Sequence, residues 1–291
     1  MSNFERIYMN ELKLGQPECY NFSYKSHFTK NLVITFTPSQ GYFLYHNDLN
    51  SHKLCISLNT PNYYIFNPGN TCKIVASYIR TLEVENIIII GSSKAGFASL
   101  LWGELISRAL PINYNIFVLS FSPQSLLYPF NDRLYFPSYS NLINLINRDK
   151  SVKKCAKYYG DINNFVSKSD LNGMIIYPRL NPCDKAEAER VISKNIKLIG
   201  LDYPLHGSFL PFMKQAKEPK KLQEMVKKIY SNSKKDKDVT ATIPESENEL
   251  LKIISSINVP TIEELCQAIF FKMNSDKEID NFDKVRQMGF V

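Results

Sequence analysis

The chain has 291 residues, of which 44% are hydrophobic and 22% are charged, and its formal net charge is +7 at pH 7. These values predict a folded chain that buries a real core, and they exclude a disordered tail. Because the sequence has no secretory signal pattern at its start and no run of about 18 apolar residues, we expect a cytoplasmic protein, or one peripheral to the inner membrane.

Four segments in the first third of the chain predict an alternation of strands and helices. Residues 31–36, NLVITF, predict a buried strand, and residues 63–67, YYIFN, predict a weaker second strand. Apolar residues recur at helical spacing from Cys72 to Leu82, which is typical of a crossover helix. Residues 87–91, IIIIG, are apolar on both faces, as in a central parallel strand that helices cover on both sides.

The alternation continues to about residue 210, with one interruption. Residues 124–170 are aromatic and rich in asparagine, and we expect this stretch to form a lid or a pocket wall. Strands that alternate with helices predict an α/β fold with a mostly parallel central sheet flanked by helices. The remaining predicted elements are a helix over 94–110, a strand over 115–123, a strand over 173–179, a helix over 184–194 and a strand over 196–202.

Beyond Lys214 the sequence changes to long amphipathic helices. We therefore expect an α/β domain over residues 1–213 and a lysine-rich helical extension over residues 214–291. Residues 214–238 hold nine lysines against four acidic residues. This charge is typical of a solvated helix face, or of a surface that contacts an anionic polymer or a membrane. No nucleic-acid motif accompanies it, so we expect no nucleic-acid partner.

The turn GSSKAG at residues 91–96 admits three glycine-rich interpretations. A phosphate-binding loop would need Lys and Ser or Thr where Phe97 and Ala98 stand, and a dinucleotide fingerprint would need glycine in place of Ser93. The third interpretation is a nucleophile elbow, Gly-x-Ser-x-Gly, with Ala95 as the second small residue. A buried strand before the turn and a helix after it favour the elbow, with Ser93 as a nucleophile.

A serine nucleophile needs a base, and the base needs an acid to hold it. His206 is the one histidine that follows Ser93 in the chain, and it lies just after the last predicted strand. Asp184 follows the preceding predicted strand, where it could also serve as a helix N-cap. We predict Asp184 as the acid, with Asp202 as the alternative. The histidines and cysteines form no metal-binding pattern, so we expect no metal.

An acyl-transfer site also needs donors for an oxyanion. The backbone N–H of Lys94, at the start of the helix after the elbow, is the first predicted donor. The second should come from the loop after the first predicted strand, where Pro38 has no N–H. We predict Ser39, with Thr37 and Gln40 as alternatives.

Three segments together resemble a known group of proteins: GSSKAGFASLLWG, the upstream ITFTPSQ, and FSPQS after the next strand. They are similar to bacterial members of the α/β-hydrolase superfamily that include capsular polysaccharide O-acetyltransferases. Ser93 and Lys94 match the Gly-Ser-Ser-Lys-Gly-Gly elbow of that group, Pro123 and Gln124 match its Pro-Gln, and Ala95 departs from it.

The resemblance spans about residues 30–212 and has no counterpart for the C-terminal extension. It implies an α/β-hydrolase-like fold with an additional C-terminal helical segment. We expect Gln40, Pro123 and Gln124 at the substrate pocket.

The resemblance implies two-step acyl transfer. His206, held by Asp184, deprotonates Ser93, which takes an acyl group from a donor such as acetyl-CoA, with no bound cofactor. If a sugar hydroxyl accepts the acyl group, the enzyme is an O-acetyltransferase of a bacterial surface polysaccharide. If water accepts it, the enzyme is a carboxylesterase or deacetylase. A third alternative is a non-enzymatic partner in polysaccharide assembly or export. The sequence does not predict an oligomeric state.

Overall fold

The computed structural model of the chain describes residues 19–38, 41–60, 62–235 and 245–274. Within these ranges the central element is a seven-stranded sheet of order β1-β3-β2-β4-β5-β6-β7, in which only β1 runs antiparallel to its neighbour. The strands are β1 (Tyr20–Lys25), β2 (Asn31–Phe36), β3 (His52–Leu58), β4 (Asn86–Ser92), β5 (Asn115–Phe121), β6 (Asn172–Pro178) and β7 (Ile196–Leu201).

From β3 to β7 helices connect the successive strands, and further helices follow β7. None in the described part of the chain is both long and apolar enough to cross a membrane. Two short 3₁₀ turns, Leu210–Phe212 and Lys214–Lys217, precede the C-terminal helices. The α-helices are α1 (Pro68–Ile79), α2 (Lys94–Ala109), α3 (Pro137–Arg148), α4 (Lys150–Tyr159), α5 (Asn163–Val166), α6 (Pro182–Glu189), α7 (Pro219–Lys235), α8 (Glu247–Ser256) and α9 (Ile262–Met273).

The order of the strands places a topological switch between β2 and β4. The chain leaves β2 toward β3 on one side and leaves β4 toward β5 on the other. Loops that diverge from the carboxyl ends of adjacent parallel strands leave a crevice there, and α/β proteins place their sites in it. This topology is α/β-hydrolase-like, so the predicted fold class is confirmed.

The isoleucines of β4 explain why this strand is central. Ile87 and Ile89 pack into the hydrophobic cluster that also holds α1 and α2, whereas Ile88 and Ile90 pack into the cluster on the opposite face. All four are fully buried. Burying an isoleucine side chain is worth about 1.5–3 kcal/mol, so both faces hold β4 in the core.

The C-terminal helices cover the second face of the sheet. Val33 of β2 and Ile88 of β4 share one hydrophobic cluster with residues of α7, α8 and α9. In addition, Asn86 Nδ2 donates to Asn274 Oδ1 over 2.7 Å, which ties the end of α9 to the start of β4. The expected boundary at residue 214 stays a prediction, but the helices beyond it complete the core of the sheet.

The prediction of a strand at residues 63–67 is wrong. This segment is a turn before α1, and Tyr63 and Tyr64 both have positive φ angles, of 53° and 64°. Sequence reasoning missed two strands, β3, which pairs with β2, and β1, which pairs with β3. Lys53, the second residue of β3, has a side chain typical of exposed positions, yet its ammonium is buried and donates to the backbone oxygens of Tyr45 (2.8 Å) and Asn47 (2.6 Å).

The other predicted strands agree with β2, β4, β5, β6 and β7 to within two residues at each end. Residues 124–170 contain the helices α3, α4 and α5. The prediction that this stretch forms a lid remains untested.

Candidate active site

Ser93 lies on a sharp turn between β4 and α2. Its φ and ψ angles are 59° and −125°. Residues other than glycine rarely adopt this backbone conformation, which costs about 1–3 kcal/mol. The turn requires a small residue at Gly91, because a Cβ there would lie 1.9 Å from the backbone oxygen of Ala95. Ser93 N–H donates to Phe121 O over 2.8 Å and anchors the turn to β5.

His206 reaches Ser93 from the loop that follows β7. Its Nε2 lies 2.8 Å from Ser93 Oγ. Gly207 has a φ of 85°, which turns the chain directly after the histidine. Ser208 then fixes the loop, since its N–H donates to Ser122 Oγ over 2.9 Å and its Oγ donates to Ile176 O over 2.6 Å. The histidine is therefore held by the ends of β5 and β6.

Asp184 holds the other side of the imidazole ring. Its two carboxylate oxygens lie 2.8 Å and 3.0 Å from His206 Nδ1. Asp184 is not the N-cap of α6, because Asn181 caps that helix and accepts from the N–H groups of Cys183 and Asp184. Asp202, the alternative acid, pairs with Arg179 and its side chain is 63% exposed. The structure therefore brings Ser93, His206 and Asp184 together.

The three side chains lie in a largely dry environment. Asp184 is 1% exposed and His206 is 13% exposed. The ring of Phe136 stacks at an angle on the imidazole, with centroids 4.2 Å apart. Burial raises the pKa of Tyr203, and the negative charge of Asp184 raises it further. A carboxylate in such surroundings stabilises a positive imidazole strongly, since screening by water is weak.

Of the residues predicted at the pocket, Gln124 contacts Ser93, the predicted nucleophile. Its Nε2 donates to Ser93 Oγ over 3.0 Å, and Pro123 before it is buried. Gln40 lies outside the described residues.

The predicted oxyanion donors are only partly described. Lys94 begins α2, so its N–H has no acceptor within the helix and is open to a ligand. Burial lowers the pKa of the Lys94 side chain. Ser39 lies outside the described residues. Thr37 does not supply a second donor, because its N–H already donates to Ile56 O (3.1 Å) and to Tyr64 Oη (3.0 Å).

Sequence reasoning missed the residues that position the three side chains. Asn181 could have been predicted as the N-cap of α6, because Asn followed by Pro is a strong signal for the start of a capped helix. Ser122, Ser208 and Phe136 gave no comparable signal, since each acts through a contact distant in sequence. No group of three His, Cys, Asp or Glu side chains is placed to ligate a metal in the part of the chain that the structure describes.

No protein-family model and no curated protein matches the chain. Its fold is similar to that of acetyl xylan esterase 1 from Thermoanaerobacterium sp. JW/SL YS485, at 13% identity and a TM-score of 0.42 over 62% of this chain and 73% of that one. An acetyl xylan esterase from Paenibacillus sp. R4 gives 11% identity and a TM-score of 0.45 over 69% and 88% of the two chains. Similarities of this size carry no argument about activity or substrate.

Proposed function

We propose that this protein is a serine-dependent enzyme of ester chemistry that works through an acyl-enzyme. The observation that carries the proposal is the continuous hydrogen-bonded path from Asp184 through His206 to Ser93, with distances of 2.8 Å on both sides of the imidazole. A histidine with a purely structural role does not require a serine hydroxyl beside its second ring nitrogen. A serine with a purely structural role does not require a strained backbone.

The proposed first step is attack by Ser93 on an acyl donor. The Oγ–C bond forms while the hydroxyl proton passes to His206 Nε2, and the carbonyl electrons move onto oxygen. Asp184 holds the ring with Nε2 toward the serine and stabilises the positive imidazole. When the intermediate collapses, the bond to the leaving group breaks and His206 returns the proton to it.

The second step transfers the acyl group to an acceptor. His206 takes a proton from water or from an alcohol, and the oxygen of that acceptor attacks the acyl carbon. The bond between that carbon and Ser93 Oγ then breaks, and His206 returns the proton to Oγ. Water as acceptor gives an esterase or deacetylase. A sugar hydroxyl gives an O-acyltransferase.

A fluorophosphonate probe tests the proposal, because it reacts with activated serines only. We expect mass spectrometry to place the label on Ser93, and we expect p-nitrophenyl acetate hydrolysis to be lost in Ser93→Ala. Wild-type protein that neither takes the label nor hydrolyses the ester contradicts the proposal. That result would favour the non-enzymatic alternative, which makes no demand on these three side chains.

For the finer function we propose O-acetyl transfer from acetyl-CoA to a bacterial surface polysaccharide. One contact favours it: the two motifs that resemble capsular O-acetyltransferases meet at the nucleophile, where Gln124 of the Pro-Gln pair contacts Ser93 of the elbow.

One face of α7 exposes four lysines, Lys220, Lys221, Lys227 and Lys228. We propose this face as a contact for an anionic polymer or a membrane surface.

The acceptor decides between the two functions. We expect acetyl-CoA to be consumed only when an acceptor polysaccharide is present, as followed by release of free thiol. Equal release of acetate from p-nitrophenyl acetate with and without polysaccharide, together with no use of acetyl-CoA, would identify an esterase instead.

A further inference from the structure

Gln124 carries a primary amide into the candidate active site from the end of β5. The residue is only 1% exposed, and its Nε2 lies 3.0 Å from Ser93 Oγ. Because the side chain is buried among packed neighbours, the amide has little freedom to turn away. A fixed N–H donor therefore points at the oxygen that attacks the acyl donor in the proposed function.

The two ends of this amide differ in their surroundings. Ser93 Oγ gives its own proton to His206, so its lone pairs are left to accept a hydrogen bond, which Nε2 supplies. Oε1 is buried and has no hydrogen-bond partner among the described residues. Leaving an acceptor unpaired costs about 1–3 kcal/mol, and methionine would fill a similar volume without that cost. Packing alone therefore does not account for a glutamine here.

Tyr63 is a neighbour of the Gln124 amide. Burial raises the pKa of Tyr63, and hydrogen bonds from Ser138 and Gln124 oppose that rise. Tyr63 Oη and Ser138 Oγ are 2.7 Å apart, so the phenol is itself fixed to α3. An amide held in this way does not need to reorganise when charge develops next to it, which is the condition for strong electrostatic catalysis.

Among the residues that the structure describes, one of the predicted backbone donors is available to an oxyanion. Lys94 supplies one N–H at the start of α2, whereas the N–H of Thr37 is already used within the fold. An oxyanion with one donor is poorly stabilised compared with one that has two.

We propose that Gln124 is a catalytic residue whose Nε2 amide donates to the oxyanion of the tetrahedral intermediate. The proposal rests on the proposed function of Ser93. In the free enzyme the N–H donates to Oγ. As Oγ bonds to the acyl carbon, negative charge develops on the carbonyl oxygen of the acyl group. Oγ and this oxygen are attached to the same carbon, so the same Nε2–H group can reach both. The hydrogen bond thus moves with the charge and is strongest in the transition state.

Gln124→Met tests this role, because it removes both N–H groups and keeps the length of the side chain. We expect kcat for p-nitrophenyl acetate to fall about 100-fold or more with little change in KM. We also expect the inhibition constant of a trifluoromethyl ketone, which forms a tetrahedral oxyanion on serine, to rise by the same factor as kcat/KM falls. A purely structural role would not couple these two quantities.

Two further variants complete the experiment. Gln124→Glu keeps the shape but places a carboxylate beside the oxyanion, so we expect it to be slower than Gln124→Met. Gln223→Met, at an exposed position of α7, is the matched control and should leave all constants unchanged.

The outcomes separate this inference from the proposed function. Wild-type protein that is labelled at Ser93 and active, with Gln124→Met within threefold of it, overturns the role of Gln124 alone. A lower melting temperature together with an unchanged inhibition constant also overturns it. Wild-type protein without labelling or turnover overturns the proposed function and, with it, this role.

Discussion

The carboxylate of Asp184 is buried and faces one partner in the site, the imidazole of His206. Replacing it by an amide keeps the volume but removes the negative charge that stabilises the protonated ring. The amide also offers a donor to Nδ1, which then turns the wrong tautomer toward Ser93. The chemistry of the site therefore depends on the charge of this group more than on its size.

Asp184→Asn should lower kcat for ester hydrolysis by about 10³–10⁴-fold while Ser93 stays in place. Steady-state kinetics with p-nitrophenyl acetate measure the effect. Asp202→Asn is the matched control, because Asp202 is exposed and pairs with Arg179, and its rate should stay within twofold of wild type. Equal losses in both variants would contradict the assignment of the acid.

Cys183 lies next to Asp184, and burial and the neighbouring carboxylate raise the pKa of its thiol to about 12. A raised pKa keeps the thiol protonated, and therefore unreactive, at any pH well below that value. At pH 9 iodoacetamide should modify the more exposed Cys155 and leave Cys183 unmodified until the protein unfolds. Peptide mass spectrometry measures both, and equally fast modification of Cys183 would contradict its burial.

At the scale of elements, the turn between β4 and α2 sets the position of Ser93, the proposed nucleophile. A methyl group at Gly91 would overlap the backbone of Ala95, which flexible side chains cannot relieve. The turn can therefore form in only one way, with the serine between a buried strand and the first turn of a helix.

Gly91→Ala should lower the free energy of unfolding by about 3 kcal/mol or more and abolish labelling of Ser93. Urea unfolding and probe labelling give the two readouts. Ala95→Gly is the control on the other side of the turn, and we expect it to cost only about 1 kcal/mol, the difference in helix propensity. If both variants are equally stable, the close approach at Gly91 does not constrain the turn.

The elements also show what the sequence can and cannot predict. The elbow, His206 and Asp184 could be placed because each follows a strand that its own apolar pattern reveals. β3 could not, because its apolar run is short and follows Lys53, whose buried ammonium donates to backbone oxygens that no sequence pattern marks. The contact between Gln124 and Ser93 depends on the register of β4 and β5, which only the folded sheet sets.

For the whole molecule, the decisive feature is the cover of the second sheet face by α7, α8 and α9. The amphipathic pattern beyond residue 214 predicts that these helices bury a face, but it does not identify the surface they bury it against. Their apolar residues share a cluster with β2 and β4. The stability of the strand that carries the nucleophile therefore includes the last helices that the structure describes.

Leu265→Ala should accordingly destabilise the whole α/β fold by about 2–5 kcal/mol, because Leu265 is fully buried in that cluster. Urea unfolding followed by fluorescence and by loss of Ser93 labelling should give one shared transition. Phe271→Ala, 66% exposed on the same helix, is the control and should change stability by less than about 0.5 kcal/mol. Two separate transitions, with labelling unaffected in the first, would show that the extension folds independently.

This arrangement has a consequence for synthesis of the protein on the ribosome. The ribosome completes β4 at residue 92, but the cluster that buries Ile88 and Ile90 also needs α9, at residues 262–273, which is synthesised much later. A nascent chain that lacks this helix exposes an apolar sheet face while its other face is already packed, and such surfaces aggregate or recruit chaperones. The candidate site and the synthesis of α9 are thereby linked through the two faces of one strand.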